Sequence, residues 1–191
     1  NGKKNGMGIC SWPDGAFYEG NYLEDKRQGN GLFINPDGRV YEGDFLNDSF
    51  QGVGTATSPD GGEYEGEILS GEKHGKGKYS WPDGSVYEGE FLNGRSHGIG
   101  KLISSDGSIY EGDWLENKRH GRGRYIWPNG DIYEGEFANN RAYGEGKYTN
   151  LFGDVYEGGY AEDKFHGQGR LIAGDGSVYE GHYVRGKRQG W

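Results

Sequence analysis

The triplet Tyr-Glu-Gly begins at Tyr18, Tyr41, Tyr64, Tyr87, Tyr110, Tyr133, Tyr156 and Tyr179, and every interval is 23 residues. A Gly-x-Gly keeps the same phase, from Gly6/Gly8 through Gly75/Gly77 to Gly167/Gly169. A fixed period of this length marks a stack of supersecondary units, each unable to bury its apolar face alone. Leu, Ile, Val and Phe make up only 32 of 191 residues and the formal net charge is −9, which without the repeat would point to disorder. The apolar content lies instead in 15 Tyr and 5 Trp, rings that cover flat area without building a thick centre. A thin sheet is the expectation, offering a long surface before it offers a pocket.

Read at the two-residue period of a strand, the unit from His74 to Asn93 gives two strands joined by Pro82-Asp83-Gly84. Gly75, Gly77, Tyr79 and Trp81 share one face with Tyr87, Gly89 and Phe91, while Lys76, Lys78, Glu88 and Glu90 share the other. Pro pre-sets the turn, Asp tolerates the next position, and Gly supplies the positive φ that closes a three-residue hairpin. That loop length places Tyr79 opposite Tyr87, Gly75 opposite Phe91, Lys78 opposite Glu88 and Lys76 opposite Glu90. Glycine weakens a strand interior, so its recurrence beside rings predicts that the rings lie flat over bare backbone. Cross-strand pairs such as Lys101/Glu111, Arg124/Glu134, Lys147/Glu157 and Arg170/Glu180 help set register, at about 0.2–1 kcal/mol each. In the first three repeats Ile9, Leu32 and Thr55 replace the base, which leaves Glu19, Glu42 and Glu65 without that partner. The third repeat, with Ala56, Ser58 and Ile68 in place of rings, makes residues 55–70 the expected soft segment or bend.

Tyr-Glu-Gly followed by x and an aromatic residue, a turn, and then Gly-x-Gly resembles the MORN (membrane occupation and recognition nexus) repeat over the whole chain. The resemblance implies an all-β fold: an elongated, single-layer, twisted antiparallel sheet of about eight 23-residue β-hairpins, grooved along one face. The family occurs in cytoskeletal scaffolds, radial spoke heads, junctophilins, lipid kinases and a methyltransferase, settings that share no chemistry. Residues 1–191 read as one array, and both ends fall inside a repeat, so the chain reads as a piece of a longer protein. The fit loosens at Ile68 and at Leu151-Phe152-Gly153, which replaces Pro-Asp-Gly.

Reactive chemistry has simpler explanations at each place it is suggested. A phosphate cradle needs a helix after its glycines, and no helical period follows any Gly-x-Gly. Glu88 and Glu90 stand about 7 Å apart by strand geometry, but on a solvated, lysine-faced surface without the unlike environments an acid/base pair requires. His74, His97, His120 and His166 recur about 9.6 Å apart, too far to share one metal ion. Cys10 is a lone thiol, which fits a reducing compartment and excludes a disulfide framework. No run approaches the roughly 18 apolar residues of a membrane-spanning helix. No catalytic residue, metal or cofactor is expected, and the acidic balance argues against nucleic acid.

What remains is recognition. The expected groove for an extended or helical segment of a partner protein is lined by Trp12, Tyr79, Trp81, Phe91, Trp114, Tyr125, Trp127 and Phe137, since rings give large contact area at low entropy cost. An open sheet end invites pairing with a second copy, so a homodimer is the second partner expectation. The alternative is a tether for anionic phospholipid through a basic rim at Lys26, Arg27, Lys118 and Arg119. The implied setting is a non-catalytic scaffold in the cytoplasm, associated with the cytoskeleton, a cilium or the membrane periphery.

Overall fold

The computed structural model describes residues 2–189, which contain seventeen β-strands and no helix. They divide into two compact units, residues 2–95 and 96–189. In the first, β1 (Gly6–Ser11), β2 (Phe17–Leu23), β3 (Lys26–Ile34), β4 (Val40–Leu46), β5 (Ser49–Thr57), β6 (Glu63–Leu69), β7 (Glu72–Ser80) and β8 (Val86–Leu92) pair antiparallel in sequence order. The second repeats the plan with β9 (Arg95–Ile103), β10 (Ile109–Leu115), β11 (Lys118–Ile126), β12 (Ile132–Ala138), β13 (Arg141–Thr149), β14 (Val155–Ala161), β15 (Lys164–Ile172), β16 (Val178–Val184) and β17 (Lys187–Gln189). Within each unit a strand packs chiefly against its sequence neighbours, so each is a single layer of hairpins.

The expected register holds: Tyr79 faces Tyr87, Gly75 faces Phe91, Lys78 faces Glu88 and Lys76 faces Glu90. The loop between them is a tight turn in which Gly84 N donates to Trp81 O at 3.0 Å and Gly84 takes φ 88°, the left-handed residue that ends a three-residue hairpin. Asp83 Oδ1 accepts from Ser85 N at 2.8 Å. At Leu151-Phe152-Gly153 that aspartate is absent, and Asn150 Oδ1 takes its place, accepting from both Phe152 N and Asp154 N at 2.9 Å.

A second set of turns links one hairpin to the next, and its conformation lies outside the sequence reading. Two residues form each turn, both at positive φ, as at Asn47 (49°) and Asp48 (72°) or Asn139 (50°) and Asn140 (71°); this backbone matches the twist of the flanking strands. The second turn residue also binds the preceding repeat. Asp48 N donates to Arg27 O at 3.1 Å and Asp48 Oδ1 accepts from Arg27 N at 2.9 Å. The same reciprocal pair joins Asp25 to Lys4, Asn117 to Ser96, Asn140 to Arg119 and Asp163 to Ala142. Where the turn residue is Gly71, Gly94 or Gly186, the backbone half of the pair remains, to Phe50, Lys73 and Phe165.

The core is the repeated tyrosine. Tyr18, Tyr87, Tyr110, Tyr133 and Tyr156 are buried, and each phenol donates to the backbone carbonyl three residues on, as Tyr133 does to Glu136 O at 2.9 Å. Edge-to-face contacts link these rings to their strand partners and, within each unit, to the next repeat, as at Tyr18, Tyr110, Tyr133 and Tyr156: Tyr110 meets Trp114 at 5.2 Å and Phe137 at 5.0 Å. Burial pushes the phenols of Tyr41 and Tyr64 up to about 12 and raises that of Tyr133 further.

The two glycines of Gly-x-Gly divide the work that the sequence reading assigned to both. The second lies under a ring: a Cβ on Gly146 would stand 2.5 Å from Tyr133, and one on Gly123 2.5 Å from Tyr110. The first sits in a β-bulge, with φ 54° at Gly121 and 69° at Gly144, where left-handed backbone rather than ring clearance demands glycine. Acidic side chains of the opposite strand cap these bulges, Glu67 Oε1 accepting from Lys76 N at 2.9 Å and Asp113 Oδ2 from Arg122 N at 2.8 Å. Glu67 and Asp113, which hold the place of Glu90 in their own repeats, are therefore structural acceptors.

The charged face also differs from a set of isolated pairs, because every inner strand has two neighbours. In the second unit Lys101, Glu111, Arg124, Glu134, Lys147, Glu157, Arg170 and Glu180 alternate across successive strands. Ion pairs close at Arg124/Glu134 (3.1 Å), Lys147/Glu157 (2.8 Å) and Arg170/Glu180 (3.9 Å). Glu65, expected to lack a base, has Lys78 opposite it on its second side. Around Ala56 and Ser58 the strand pairing is unbroken; the missing rings leave a groove of about 460 Å³ between Tyr41, Phe50, Tyr64 and Tyr79.

Candidate functional site

One repeat position controls how open the ring face is. Lys4, Arg27, Phe50, Lys73, Ser96, Arg119, Ala142, Phe165 and Arg188 occupy it at 23-residue spacing, at or beside the start of the strand that leaves each two-residue turn. A long side chain here folds across the rings. The Arg27 guanidinium lies 5.6 Å from the centre of Tyr18, 4.7 Å from Phe33 and 5.3 Å from Phe45, and its Nη2 donates to Asp48 O at 2.9 Å. Arg119 repeats this over Tyr110, Tyr125 and Phe137, donating to Asn140 O at 2.8 Å. Lys73 covers Tyr79 at 4.1 Å, its pKa lowered by burial. Phe50 and Phe165 stack on Tyr41 (4.2 Å) and Tyr156 (3.7 Å).

Ala142 is too short to cover anything. Between Arg119 and Phe165 it leaves a groove of about 530 Å³ bounded by Tyr125, Trp127, Tyr133, Phe137, Tyr148, Tyr160 and Asp163. Trp127 stands at the rim, edge-on to Tyr125 at 4.8 Å and to Tyr148 at 5.8 Å. The Tyr148 phenol donates to Asp131 Oδ2 at 2.6 Å, and burial with that bond raises its pKa to about 12. The Tyr160 hydroxyl is buried without a hydrogen-bond partner. These groups can hold a side chain by stacking and hydrogen bonding; no group of three or more His, Cys, Asp or Glu able to hold a metal ion occurs among the described residues.

The residues expected to line a groove fall into two sets. Trp12, Trp81 and Trp127 are exposed at 38%, 39% and 37%, and Tyr79 and Tyr125 are half-buried beside them. Phe91, Trp114 and Phe137 belong to the core instead, at 5–7% exposure; the Trp114 indole N–H donates to Gly100 O at 3.0 Å. Their alternation places them on the ring face, but the tyrosines of the same face shut over them. Phe137 alone of the three reaches the groove floor. Of the basic rim, Lys26 and Lys118 are exposed, whereas the Arg27 and Arg119 guanidinium groups lie over rings. Ala142, Tyr148 and Asp163 escaped the sequence reading, although Ala142 and Ser96 are visible as small residues in a column otherwise made of Lys, Arg and Phe.

Comparison with known structures bears on the fold. The TCP domain of SAS-4 (dCPAP) from Drosophila melanogaster, solved with a proline-rich motif of Ana2 (dSTIL), aligns with a TM-score of 0.50 at 12% identity, over 93% of this chain and 90% of that one. The TCP10 domain of Danio rerio CPAP, solved with a STIL peptide, matches with a TM-score of 0.29 and 16% identity over 94% and 96%. The Staphylococcus aureus virginiamycin B lyase matches at 0.23 and 12% over 96% and 86%. Only the first is close enough to speak for the fold. No curated protein sequence matches. The MORN repeat, however, is matched nine times in succession, at residues 1–17, 18–38, 41–63, 64–86, 87–109, 110–132, 133–150, 156–178 and 179–190. With that coverage, the chain belongs to the MORN repeat family.

Proposed function

We propose that this chain is a non-catalytic scaffold that holds a segment of a partner protein against its ring face and serves cytoskeletal assembly. The observation that carries the reading is the open groove around Ala142, where the covering side chain of the repeats on either side, Arg119 and Phe165, is reduced to a methyl group. Rigid rings around a concave surface offer desolvated contact at low entropy cost. The SAS-4 TCP domain, which is similar in fold, was solved with a proline-rich motif of its partner, which supports an extended peptide as the form of the ligand. Centriolar or ciliary assembly is the setting this reading favours. The test is Trp81→Ala combined with Trp127→Ala in affinity capture from cell extract: a folded variant that keeps the full set of wild-type partners removes the groove from the reading.

Self-association belongs to the same proposal, with the outer edge of β1 as the place where a second copy adds strands. Sedimentation velocity decides it: a monomer across a hundredfold concentration range removes this part. A phospholipid tether would rest on exposed Lys26 and Lys118, since Arg27 and Arg119 lie over rings.

A further inference from the structure

The groove at Ala142 has occupied counterparts elsewhere in the chain, and they identify what fits it. Shifting Arg27 by five repeats gives Ala142, and the same shift takes Tyr18, Phe33, Phe45 and Asp48 to Tyr133, Tyr148, Tyr160 and Asp163. All four of these line the groove. In the occupied version the guanidinium lies on three rings, its Nη2 donating to Asp48 O at 2.9 Å and its Nε to Asp48 Oδ1 at 3.2 Å. The vacant version keeps three rings and the turn aspartate, whose Oδ1 accepts from Ala142 N at 2.8 Å as Asp48 Oδ1 does from Arg27 N.

Apart from Lys73, which stands against Gly94, the turn residue matches the type of covering group. Asp25, Asp48 and Asn140 go with Lys4, Arg27 and Arg119, and Asn117 goes with Ser96, whose hydroxyl donates to Asn117 Oδ1 at 3.1 Å. Phenylalanine occurs only against glycine, Phe50 with Gly71 and Phe165 with Gly186. Among the described residues, Ala142 with Asp163 is the one place where an acceptor turn faces a side chain with nothing to donate. Neighbouring Arg119 does not bar a second cation: Lys4, over Tyr22 at 5.2 Å, and Arg27 already stand one repeat apart. A cation over several rings beside a carboxylate combines charge-assisted hydrogen bonding with cation–π attraction, and a planar guanidinium suits such a slot better than an ammonium does.

We propose that the Ala142 slot receives an arginine side chain of the bound partner segment, its guanidinium laid over Tyr133, Tyr148 and Tyr160 and donating to Asp163. This rests on the peptide-binding reading and names the residue that the groove selects. The test uses a display library of random twelve-residue peptides selected against the full chain. Expected are peptides with arginine enriched at one fixed position. In a synthetic copy, replacing that arginine by citrulline weakens binding at least about tenfold, as expected for loss of a charge-assisted contact. Ala142→Arg, which places in the slot the residue that repeats at 27 and 119 already carry, abolishes binding with the β-sheet circular dichroism unchanged. Asp163→Asn keeps the turn bond, as Asn140 does, and weakens the arginine peptide severalfold while leaving the citrulline peptide unaffected. Peptides that depend on Trp127 but carry no enriched arginine, or that bind Ala142→Arg as well as wild type, overturn the arginine assignment and leave the groove reading standing. A selection that yields no peptide dependent on Trp127 or Ala142 overturns both.

Discussion

In the first unit the face away from the rings sets Ile9, Leu32 and Thr55 across from Glu19, Glu42 and Glu65, whereas in the second an unbroken series of bases and acids alternates from Lys101 to Glu180. The first has glycine at two interhairpin turns, Gly71 and Gly94; the second places Asn117, Asn140 and Asp163 at the first three of its turns. Yet both keep the same bulges, the same ring over the same glycine and the same turn bonds to the preceding repeat. Backbone geometry and the tyrosine–glycine contact therefore carry the fold, and the remaining positions are free to vary. That freedom is what opens grooves at Ala56 and at Ala142.

The largest effects are expected at glycine. Gly146→Ala puts a Cβ 2.5 Å from the buried Tyr133 ring, whose phenol is tied to Glu136 O, so a loss of about 3 kcal/mol in urea unfolding is expected. Gly54→Ala, where the nearest atoms stand 2.8 Å away, is expected to cost about 2 kcal/mol. If both substitutions are neutral, ring over bare backbone is not what holds either unit.

The turns come next. Gly71→Asn introduces a side chain that can accept from Phe50 N as Asn140 Oδ1 accepts from Arg119 N at 2.8 Å, and Asn tolerates the left-handed conformation. A gain of about 1 kcal/mol follows from the net worth of one hydrogen bond, and Asn117→Gly should lose a similar amount. Native-state hydrogen exchange in β5 and β9 reads both; no change in either removes the turns from the difference between units.

Tyr160→Phe is expected to stabilise the second unit by somewhat less than 1 kcal/mol, because it removes a buried hydroxyl that lacks a partner, and Phe45, Phe91 and Phe137 already fill the equivalent place. Thermal unfolding that shifts downward contradicts this. The smallest effect belongs to the charge series. The Lys147 ammonium, by its hydrogen bond and its charge, holds the Glu157 carboxyl below the usual carboxylate range. Its contribution is thus full above the unfolded pKa and is lost as pH falls through the lower folded value. Exchange in β13 and β14 should quicken on acidification, and with added salt, relative to β3 and β4, where Glu42 faces Leu32. Equal responses in the two places sink the assignment.

The period, the three-residue loops and the register around Tyr87 were legible because each rests on a residue type with one conformational use. The interhairpin turns were not, since Glu24, Glu116 and Arg185 adopt positive φ near 50° without being residues that favour it; the bonds to the preceding repeat hold them there. Burial also separated residues that alternation groups together: Trp114 and Trp127 share the ring face, but only Trp127 stands beyond the tyrosine layer. The slot at Ala142 is defined by a missing side chain, which becomes apparent only when the occupied positions at Arg27 and Arg119 are seen lying across their rings.

Each two-residue turn grips the unit before it through atoms that nearly every unit offers, so the junctions are interchangeable. A stretch of 23 residues copied in tandem would arrive with its own joints ready-made, and a chain built this way can gain or shed whole modules by duplication or deletion without new contacts having to be invented. Selection can then act on single side chains within one module, as at position 142, while its neighbours keep the frame.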